Sequence, residues 1–334
     1  VMADLSQLGV IAFSGEDTAT FLQGQLTNDV RALHADGAQW NGYCSPKGRL
    51  LGNFLMWRDD ADTCLQLSGD ILASVLKRLS MFVLRAKARL SDASDAFRVW
   101  GVAGSALQAL APEPAKPWDR LALGEASLVH LYPAHGVARA LWVAPADSPP
   151  AAGPALALER WRLGEVHAGV ATVGAAVVEA FVPQMLNYES VGGVNFKKGC
   201  YPGQEVVARS QYRGTLKRRA YLLSAGVPLS PGQEVFHSAD PTQPAGLVAL
   251  AGSLGAGRHD ALVELKIAAT TEGSLHLGAG DGPVLRLALR LGDAPSDRPI
   301  TISEKIVDSY PGRIEHQRIA TRAGEGETEA MSSF

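Results

Sequence analysis

The segment of this chain richest in reactive side chains is "GGVNFKKGCYPGQEVVARSQYRGTLKRR", from Gly192 to Arg219. It contains one cysteine, Cys200, shortly after Lys197 and Lys198. Seven cations and one acid lie between residues 195 and 219, in a chain whose formal net charge is −3. Positive charge is therefore concentrated around a thiol, and a thiolate is the nucleophile that such surroundings favour.

Cys200 is expected to lie in a loop, because Gly199, Pro202 and Gly203 favour turn conformations. Neighbouring lysines stabilise a thiolate if they lie within a few ångströms of it, so Cys200 and Lys198 are our candidate catalytic residues. A second interpretation stays open, in which the cysteine packs as a small apolar residue beneath a tight turn and the lysines are solvated.

The basic run that follows, "RSQYRGTLKRR", also has two interpretations. It could be a solvated connection between domains, or it could bind an anion such as a phosphate, a glutamate chain or an RNA backbone. RNA contact requires exposed aromatic side chains among the cations, and Tyr201 and Tyr212 are few for that purpose. Direct binding of nucleic acid is therefore not expected.

The composition indicates a globular protein of two or three domains, with 334 residues of which 46% are hydrophobic. Lys and Arg total 31 against 34 Asp and Glu. The chain as a whole therefore has no positive electrostatic potential that would attract nucleic acid or an anionic membrane. Three cysteines far apart fit neither a disulfide framework nor a zinc site, and no metal site is expected. Without a leader or a long apolar run, we expect a cytoplasmic protein with no membrane partner.

Hydrophobic periodicity indicates an α+β chain. A helix is expected at about Glu16 to Leu26 after a capping box at Ser14, and a β-hairpin is expected around Pro46 and Gly48. Short apolar runs after Lys217 are typical of an all-β barrel or sandwich. The predicted domains are an α+β region at 1–216, broken near 95 and 145–155, a β-barrel at 217–295, and a tail at 296–334 that is at least partly disordered.

Four segments together resemble the YgfZ family of folate-binding proteins, which is related to the aminomethyltransferase (T protein) of the glycine cleavage system. These segments are "FLQGQLTNDV", "CSPKGRLLGNFLM", "FVPQMLNYESVGGVNFKKGCYPGQEVVAR" and "YRGTLKRR". The resemblance covers roughly Leu8 to Leu291, and "KGCYPGQE" is its most specific motif. The chain differs from the expected bacterial form at Pro202, where Thr or Ile is common.

The resemblance implies two α+β domains in a ring-like arrangement with a C-terminal β-barrel, around a central channel that binds tetrahydrofolate. A pterin needs apolar or aromatic walls and a few directed hydrogen bonds, and its glutamate end needs cations. Residues whose types or aligned positions suit these roles are Asn28, Tyr43, Lys47, Arg162, Gln184, Asn187, Lys197, Tyr201 and Arg209.

Two departures from the aminomethyltransferases argue against that activity. Gly52, with Asn53 beside it, aligns with their catalytic aspartate, and Arg162 aligns with the acid that holds the pterin, while Glu165 is near but out of register. Aminomethyl transfer needs a carboxylate that accepts a proton or stabilises a developing cation, and neither aligned position supplies one.

The resemblance implies instead a folate-dependent accessory protein that supports assembly or repair of iron-sulfur clusters, including those of enzymes that thiolate tRNA bases. Its expected partners are folate and iron-sulfur proteins or their assembly factors. Cys200 would act transiently, since three scattered cysteines do not form a four-ligand cluster site. A folate-dependent aminomethyltransferase or demethylase is the first alternative, and an RNA-binding module is the second.

Overall fold

A computed structural model describes residues 1–59, 62–148, 152–212, 216–255 and 257–290. The described chain forms two five-stranded antiparallel sheets and one closed six-stranded barrel. The predicted disordered tail at 296–334 lies outside the described residues. None of the described helices combines the length and the apolarity that a membrane span requires.

The N-terminal third builds one whole sheet, the two helices packed on it and the first strand of the second sheet. Its elements are β1 (Met2–Asp4), β2 (Leu8–Ser14), α1 (Thr18–Gln23), β3 (Ala38–Cys44), β4 (Leu50–Asp59), β5 (Asp62–Ser68), α2 (Gly69–Val83) and β6 (Arg89–Asp92). The strand order in this sheet is β3-β4-β5-β2-β6. The predicted hairpin at Pro46 and Gly48 is confirmed, because β3 pairs with β4 across that turn.

The middle of the chain builds the second sheet and three further helices. Its elements are β7 (Phe97–Ala103), α3 (Ser105–Leu110), β8 (Arg120–Leu123), β9 (Ala126–Ala134), β10 (Val137–Pro145), α4 (Leu158–Ala168) and α5 (Gln204–Tyr212). This sheet has the order β1-β7-β10-β9-β8, so the first strand of the chain belongs to it. The domain boundaries themselves stay a prediction.

The C-terminal part closes into the barrel β11-β14-β13-β12-β15-β16. Its strands are β11 (Arg218–Ala225), β12 (Glu234–His237), β13 (Asp240–Gly255), β14 (Arg258–Lys266), β15 (Leu275–Leu277) and β16 (Val284–Arg290). The structure therefore selects a barrel from the two predicted all-β forms. Helix α4 packs directly on β13 at Gly252, where an added Cβ would lie 2.4 Å from the backbone nitrogen of Leu163.

One local prediction was wrong in its bounds. The first helix spans only Thr18–Gln23, because Ser14 is still the last residue of β2 and the Asp17 carboxylate accepts a hydrogen bond from the Lys87 backbone instead of capping the helix. The basic run begins in α5, which ends at Tyr212, and continues into β11, which begins at Arg218.

Residues alternate between two cores along β4, as expected for a strand that is buried on both faces. Phe54 packs with α1 and α2, whereas Leu55 faces the central core where both sheets, α4 and the barrel meet. Gly52 shares the face of Phe54, and an added Cβ would lie 3.0 Å from Ile71 Cδ1. Asn53 points to the central side, where its amide donates to Ala171 O at 3.1 Å.

The aspartate aligned with Gly52 would therefore enter an apolar core. We predict that Gly52→Asp lowers the free energy of unfolding by at least ~3 kcal/mol, because it buries a carboxylate without a partner. Gly52→Ala is the matched control, and it costs much less since only the flexible end of Ile71 must move. Urea denaturation of both variants measures the difference, and equal stabilities would show that position 52 does not face the core.

Candidate functional site

The loop before α5 presents Cys200 to solvent. Cys200 is exposed and belongs to no helix or strand, so its predicted place in a loop is confirmed. The Asn195 side chain accepts hydrogen bonds from the backbone nitrogens of Lys197 at 2.8 Å and Lys198 at 3.1 Å, and these bonds fold the loop back on itself. A side-chain amide thus shapes the turn from which the thiol projects.

The Lys198 side chain anchors this loop. It is buried, and its ammonium donates to the carbonyl of Leu26 at 2.6 Å and to the carbonyl of Gln23 at the end of α1. Its Nζ lies 5.1 Å from the centre of the Tyr201 ring, which is also buried. Burial lowers the pKa of Lys198 from 10.5 to about 8, although the Asp29 carboxylate opposes this shift. Lys198 fixes the loop in place, because its donors are bound to backbone carbonyls.

The cysteine loop also packs against the β3-β4 turn. Gly203 has a positive φ of 79°, and a Cβ there would lie 2.4 Å from Ser45 O and 2.5 Å from the Cα of Gly48. Only glycine permits this approach. Two motifs about 150 residues apart in sequence therefore form one surface, on which Lys47 is exposed.

Asn28 and Thr27 connect the cysteine loop to β3. The Asn28 amide donates to Trp40 O at 3.0 Å and to Gly192 O at 2.6 Å, and the Thr27 hydroxyl donates to Gly193 O at 2.6 Å. The amide hydrogens of Asn28 are thereby used in holding two chain segments together.

Three further predicted ligands for the cofactor are buried in internal contacts. Tyr43 packs on Phe54 in the core beneath α1 and α2. This core lies on the opposite face of the first sheet from the central core that contains Leu55. Gln184 donates to Val207 O in α5 at 2.8 Å, and Asn187 donates to Ala220 O in β11 at 3.1 Å. These two amides hold α5 and the barrel against the segment before the cysteine loop.

Part of the basic run is neutralised within the molecule. Arg218 pairs with Glu264 in the barrel, and Arg219 pairs with Glu189. Exposed cations nevertheless remain at Lys197, Arg209 and Lys217. Arg213 lies outside the described residues.

A cavity of about 40 Å³ lies between the two sheets and α4, and the empty space reaches about 480 Å³ when the open solvent at its mouth is included. Its lining combines aromatic, aliphatic and charged side chains: Leu8, Trp40, Leu55, Gln66, Trp118, Leu131, Tyr132, Arg139, Leu141, Glu165, Ala168, Val170 and Thr172. No residue that we predicted as a cofactor ligand is among them.

Aromatic rings form one wall of this cavity. Trp40 and Trp118 stack in parallel, with ring centres 5.5 Å apart and planes 4° apart, and Tyr132 meets Trp118 edge to face at 5.6 Å. Trp118 has a φ of 75°, which is uncommon for a residue with a side chain and costs backbone energy. Its indole donates to Val191 O at 3.0 Å, so the wall is fastened to the segment leading to Cys200.

An arginine and a carboxylate face each other in the cavity. Arg139 is buried, with its guanidinium 4.2 Å from the centre of the Trp161 ring, and Glu165 accepts from Trp161 Nε1 at 3.1 Å. Burial raises the pKa of Glu165, while the charge of Arg139 opposes that shift. Burial likewise lowers the pKa of Arg139, opposed by Glu165. The pair supplies a hydrogen-bond donor and an acceptor within an apolar enclosure.

Two polar atoms of the cavity lining have no hydrogen-bond partner among the described residues. They are the Oε1 atom of Gln66 and one terminal nitrogen of Arg139. Buried polar groups are nearly always hydrogen-bonded, and those that are not need a reason. A planar ligand with both donors and acceptors on its edge would satisfy them.

Two residues of α4 near the aligned position of the pterin-holding acid have different surroundings. The Arg162 guanidinium pairs with Glu159 at 2.7 Å and does not line the cavity. Glu165, one helical turn later, does line it.

The three cysteines differ in environment. Cys44 and Cys64 are buried, and burial raises the pKa of each thiol to about 12, whereas Cys200 is exposed. Only Cys200, of these three, can meet a partner in solution without unfolding.

We predict that Lys198→Met lowers the free energy of unfolding by ~2 kcal/mol, because two buried carbonyls lose their donor. Lys197→Met is the control, since that side chain is exposed and should change stability by less than ~0.5 kcal/mol. Equal stabilities of the two variants would contradict the anchoring role.

The Lys198→Met deficit should also depend on pH. A lysine whose pKa falls on folding binds fewer protons in the native state, so the wild type gains stability relative to the variant as pH rises from about 8 to 10.5. Chemical denaturation of both proteins across this range measures the change, and a deficit that shrinks with pH would reverse the sign we assign.

No family model matches this chain, but curated relatives do. The tRNA-modifying protein YgfZ of Colwellia psychrerythraea is 32% identical over 232 residues, 67% of this chain and 71% of that protein. The protein of the same name from Vibrio vulnificus (strain YJ016) is 32% identical over 236 residues, 68% of this chain and 71% of that protein.

The fold also matches a solved structure, glycine cleavage system aminomethyltransferase T from Bartonella henselae. The TM-score is 0.66 at 15% identity, and the match covers 90% of this chain and 87% of that chain. This likeness confirms the predicted α+β aminomethyltransferase-like fold with its C-terminal barrel. The sequence identity to the curated relatives shows that this chain belongs to the YgfZ family.

Proposed function

We propose that this protein binds tetrahydrofolate in the cavity between the two sheets and supports tRNA modification as an accessory to iron-sulfur enzymes. Relatives named tRNA-modifying protein YgfZ and the aminomethyltransferase fold support this role. The observation that carries it is the cavity itself, where aromatic walls enclose a buried arginine, a carboxylate and polar atoms without partners.

The lining of the cavity fits a reduced pterin. Its aromatic wall suits a flat bicyclic ring, and the Glu165 carboxylate can accept from the amino and ring N–H groups of a pterin while Arg139 can donate to its carbonyl oxygen. Bound folate would supply a carrier for a one-carbon unit. The protein's own residues bind and orient it and restrict the access of water.

The glutamate chain of a folate needs positive charge outside the apolar cavity. We assign this role to Lys197, because it is exposed and follows the Gly192-Gly193 segment, which lies against Trp40 and Trp118. Lys198 is a weaker candidate than the sequence suggested, since its ammonium is bound to the carbonyls of Gln23 and Leu26.

Cys200 is the residue we propose to act on a partner. Its exposed position on an anchored loop allows a thiolate to contact a cluster, a persulfide or a thiol of an iron-sulfur protein or its assembly factor. Because the loop continues from the segment fastened to Trp118, folate binding and the presentation of the thiol share one piece of chain.

The aminomethyltransferase fold favours one alternative, a folate-dependent transferase. Asn53 of β4 weakens this alternative, because its uncharged amide is bonded to the backbone of Ala171 and Val173. An amide that bonds to backbone on both sides cannot serve as the required carboxylate. The accessory role therefore fits these residues better than transfer chemistry does.

The binding proposal predicts saturable quenching of tryptophan fluorescence by tetrahydrofolate, with a dissociation constant in the micromolar range typical of soluble cofactors. Glu165→Gln should weaken binding at least about tenfold, since a hydrogen bond to a charged group contributes ~1.5–3 kcal/mol. Glu159→Gln, an exposed change on the same helix, is the control. Absence of saturation up to millimolar folate, or equal affinities of both variants, would refute this site.

The thiol proposal predicts that Cys200→Ser abolishes support of a cluster-dependent tRNA-thiolating enzyme in cells that lack the native protein. Folate binding and thermal stability should stay near the wild type, because the side chain is exposed and serine is a poor nucleophile at neutral pH. Cys64→Ala, which removes a buried thiol, should retain support. Full complementation by Cys200→Ser would remove the thiol from the mechanism and leave folate binding untouched.

A further inference from the structure

Exposed apolar side chains are concentrated at the C-terminal end of α2. Met81 is 57% exposed, Phe82 is 43% exposed and Leu84, the residue directly after the helix, is 87% exposed. We call these three residues the α2 tip. Single exposed apolar residues are normal on a protein surface, whereas a contiguous group marks a contact site. None of the three lines the cavity between the sheets.

Leu84 has an unfavourable conformation as well as an exposed side chain. Its φ is 43° and its ψ is −101°. Glycine is the usual residue where a helix ends with a positive φ, because a side chain strains the backbone there. Strained residues that persist in a native protein cluster at ligand and partner contacts. A contact made by the leucine side chain would explain both its strain and its exposure.

Positive charge surrounds the α2 tip. Lys77 and Arg78 lie one helical turn before it, and Arg85 and Arg89 follow it, with no acidic residue from 77 to 90. The side chains of Lys77, Arg85 and Arg89 are exposed. Arg78 is half-buried, and its guanidinium lies 5.9 Å from the centre of the Phe82 ring. The apolar tip is therefore flanked by cations on both sides.

The acids just before α1 do not neutralise these four cations. The Lys87 ammonium pairs with Glu16, and the Lys87 backbone nitrogen donates to the Asp17 carboxylate at 2.8 Å. No described acid forms an ion pair with any of the four cations around the tip. The complementary surface is thus anionic and also receives apolar side chains.

An anionic lipid surface has this chemistry, since its acyl chains accept apolar side chains and its phosphates pair with Lys and Arg. RNA fits less well, because Met81 and Leu84 cannot stack on bases as aromatic rings do. A second copy of this chain would bring like charges together. Three side chains also supply much less than the roughly 800 Å² that each partner contributes to a stable protein interface.

We propose that the α2 tip binds anionic lipid surfaces. Met81 and Leu84 enter the boundary between head groups and acyl chains, and Lys77, Arg85 and Arg89 contact the phosphates. The formal net charge of −3 does not prevent this contact, because charges more than about 10 Å away are screened at physiological salt. The contact does not depend on folate or on Cys200, and it departs from the expectation that the protein has no membrane partner.

Co-sedimentation of the full-length protein with lipid vesicles tests this contact. The vesicles contain phosphatidylcholine alone, or phosphatidylcholine with about one third phosphatidylglycerol. We expect binding to the anionic vesicles to be at least about tenfold tighter than binding to the neutral ones. Binding should weaken as salt rises from about 0.1 M to about 0.5 M, because the head-group charges are screened.

Leu84→Gly separates binding from folding. It removes the exposed side chain and relieves the strain at a positive φ, so vesicle binding should fall at least about tenfold while the melting temperature does not fall. Met81→Ser should also weaken binding, whereas Val284→Ser, a control in the barrel with 55% exposure, should not. Arg85→Glu should weaken binding, and Arg160→Glu, an exposed change on α4, should not.

Four results would overturn the proposal. The first is no binding to anionic vesicles, and the second is equal affinity for anionic and neutral ones. The third is binding that Arg85→Glu weakens but Leu84→Gly leaves unchanged, which would show adsorption by charge alone. The fourth is a dimer or a tRNA complex that Leu84→Gly abolishes, in the absence of vesicle binding, which would assign the α2 tip to a different partner.

Discussion

The stacking of Trp40 on Trp118 is the contact on which the proposed site depends. It joins a strand of the first sheet to the chain entering the second, and it forms the aromatic wall of the cavity between them. The left-handed backbone of Trp118 stores strain that the surrounding contacts must offset. Strain of this kind is tolerated where a side chain must be held at one position for function.

The same contact connects the cavity to the cysteine loop. Trp118 holds Val191, Asn28 holds Gly192, and the chain then turns through Asn195 to Lys198, whose ammonium is fixed beneath α1. The segment from the cavity wall to the exposed thiol is thus restrained at almost every step by a hydrogen bond to another element. A ligand in the cavity and a partner at the thiol would contact opposite ends of one restrained segment.

Local sequence patterns were sufficient for the hairpin and the cysteine loop, and the family resemblance was sufficient for the fold and its C-terminal barrel. The sequence did not show that Tyr43 and Gln184 are buried in internal contacts, because residue type does not reveal which face of a strand a side chain takes or which amide already has a partner. The cavity residues Arg139, on β10, and Glu165, on α4, face each other only in the folded chain. The one available signal was Glu165, an acid beside the aligned position on a helix.

A crystal structure of the protein soaked with tetrahydrofolate tests the central claim most directly. The account predicts density for the pterin against Trp118 and Tyr132, with its amino group within hydrogen-bond distance of the Glu165 carboxylate and its carbonyl oxygen near Arg139. Density for the pterin at Lys47, or in the depression lined by Val206 and Arg209, with the cavity between the sheets empty would contradict it.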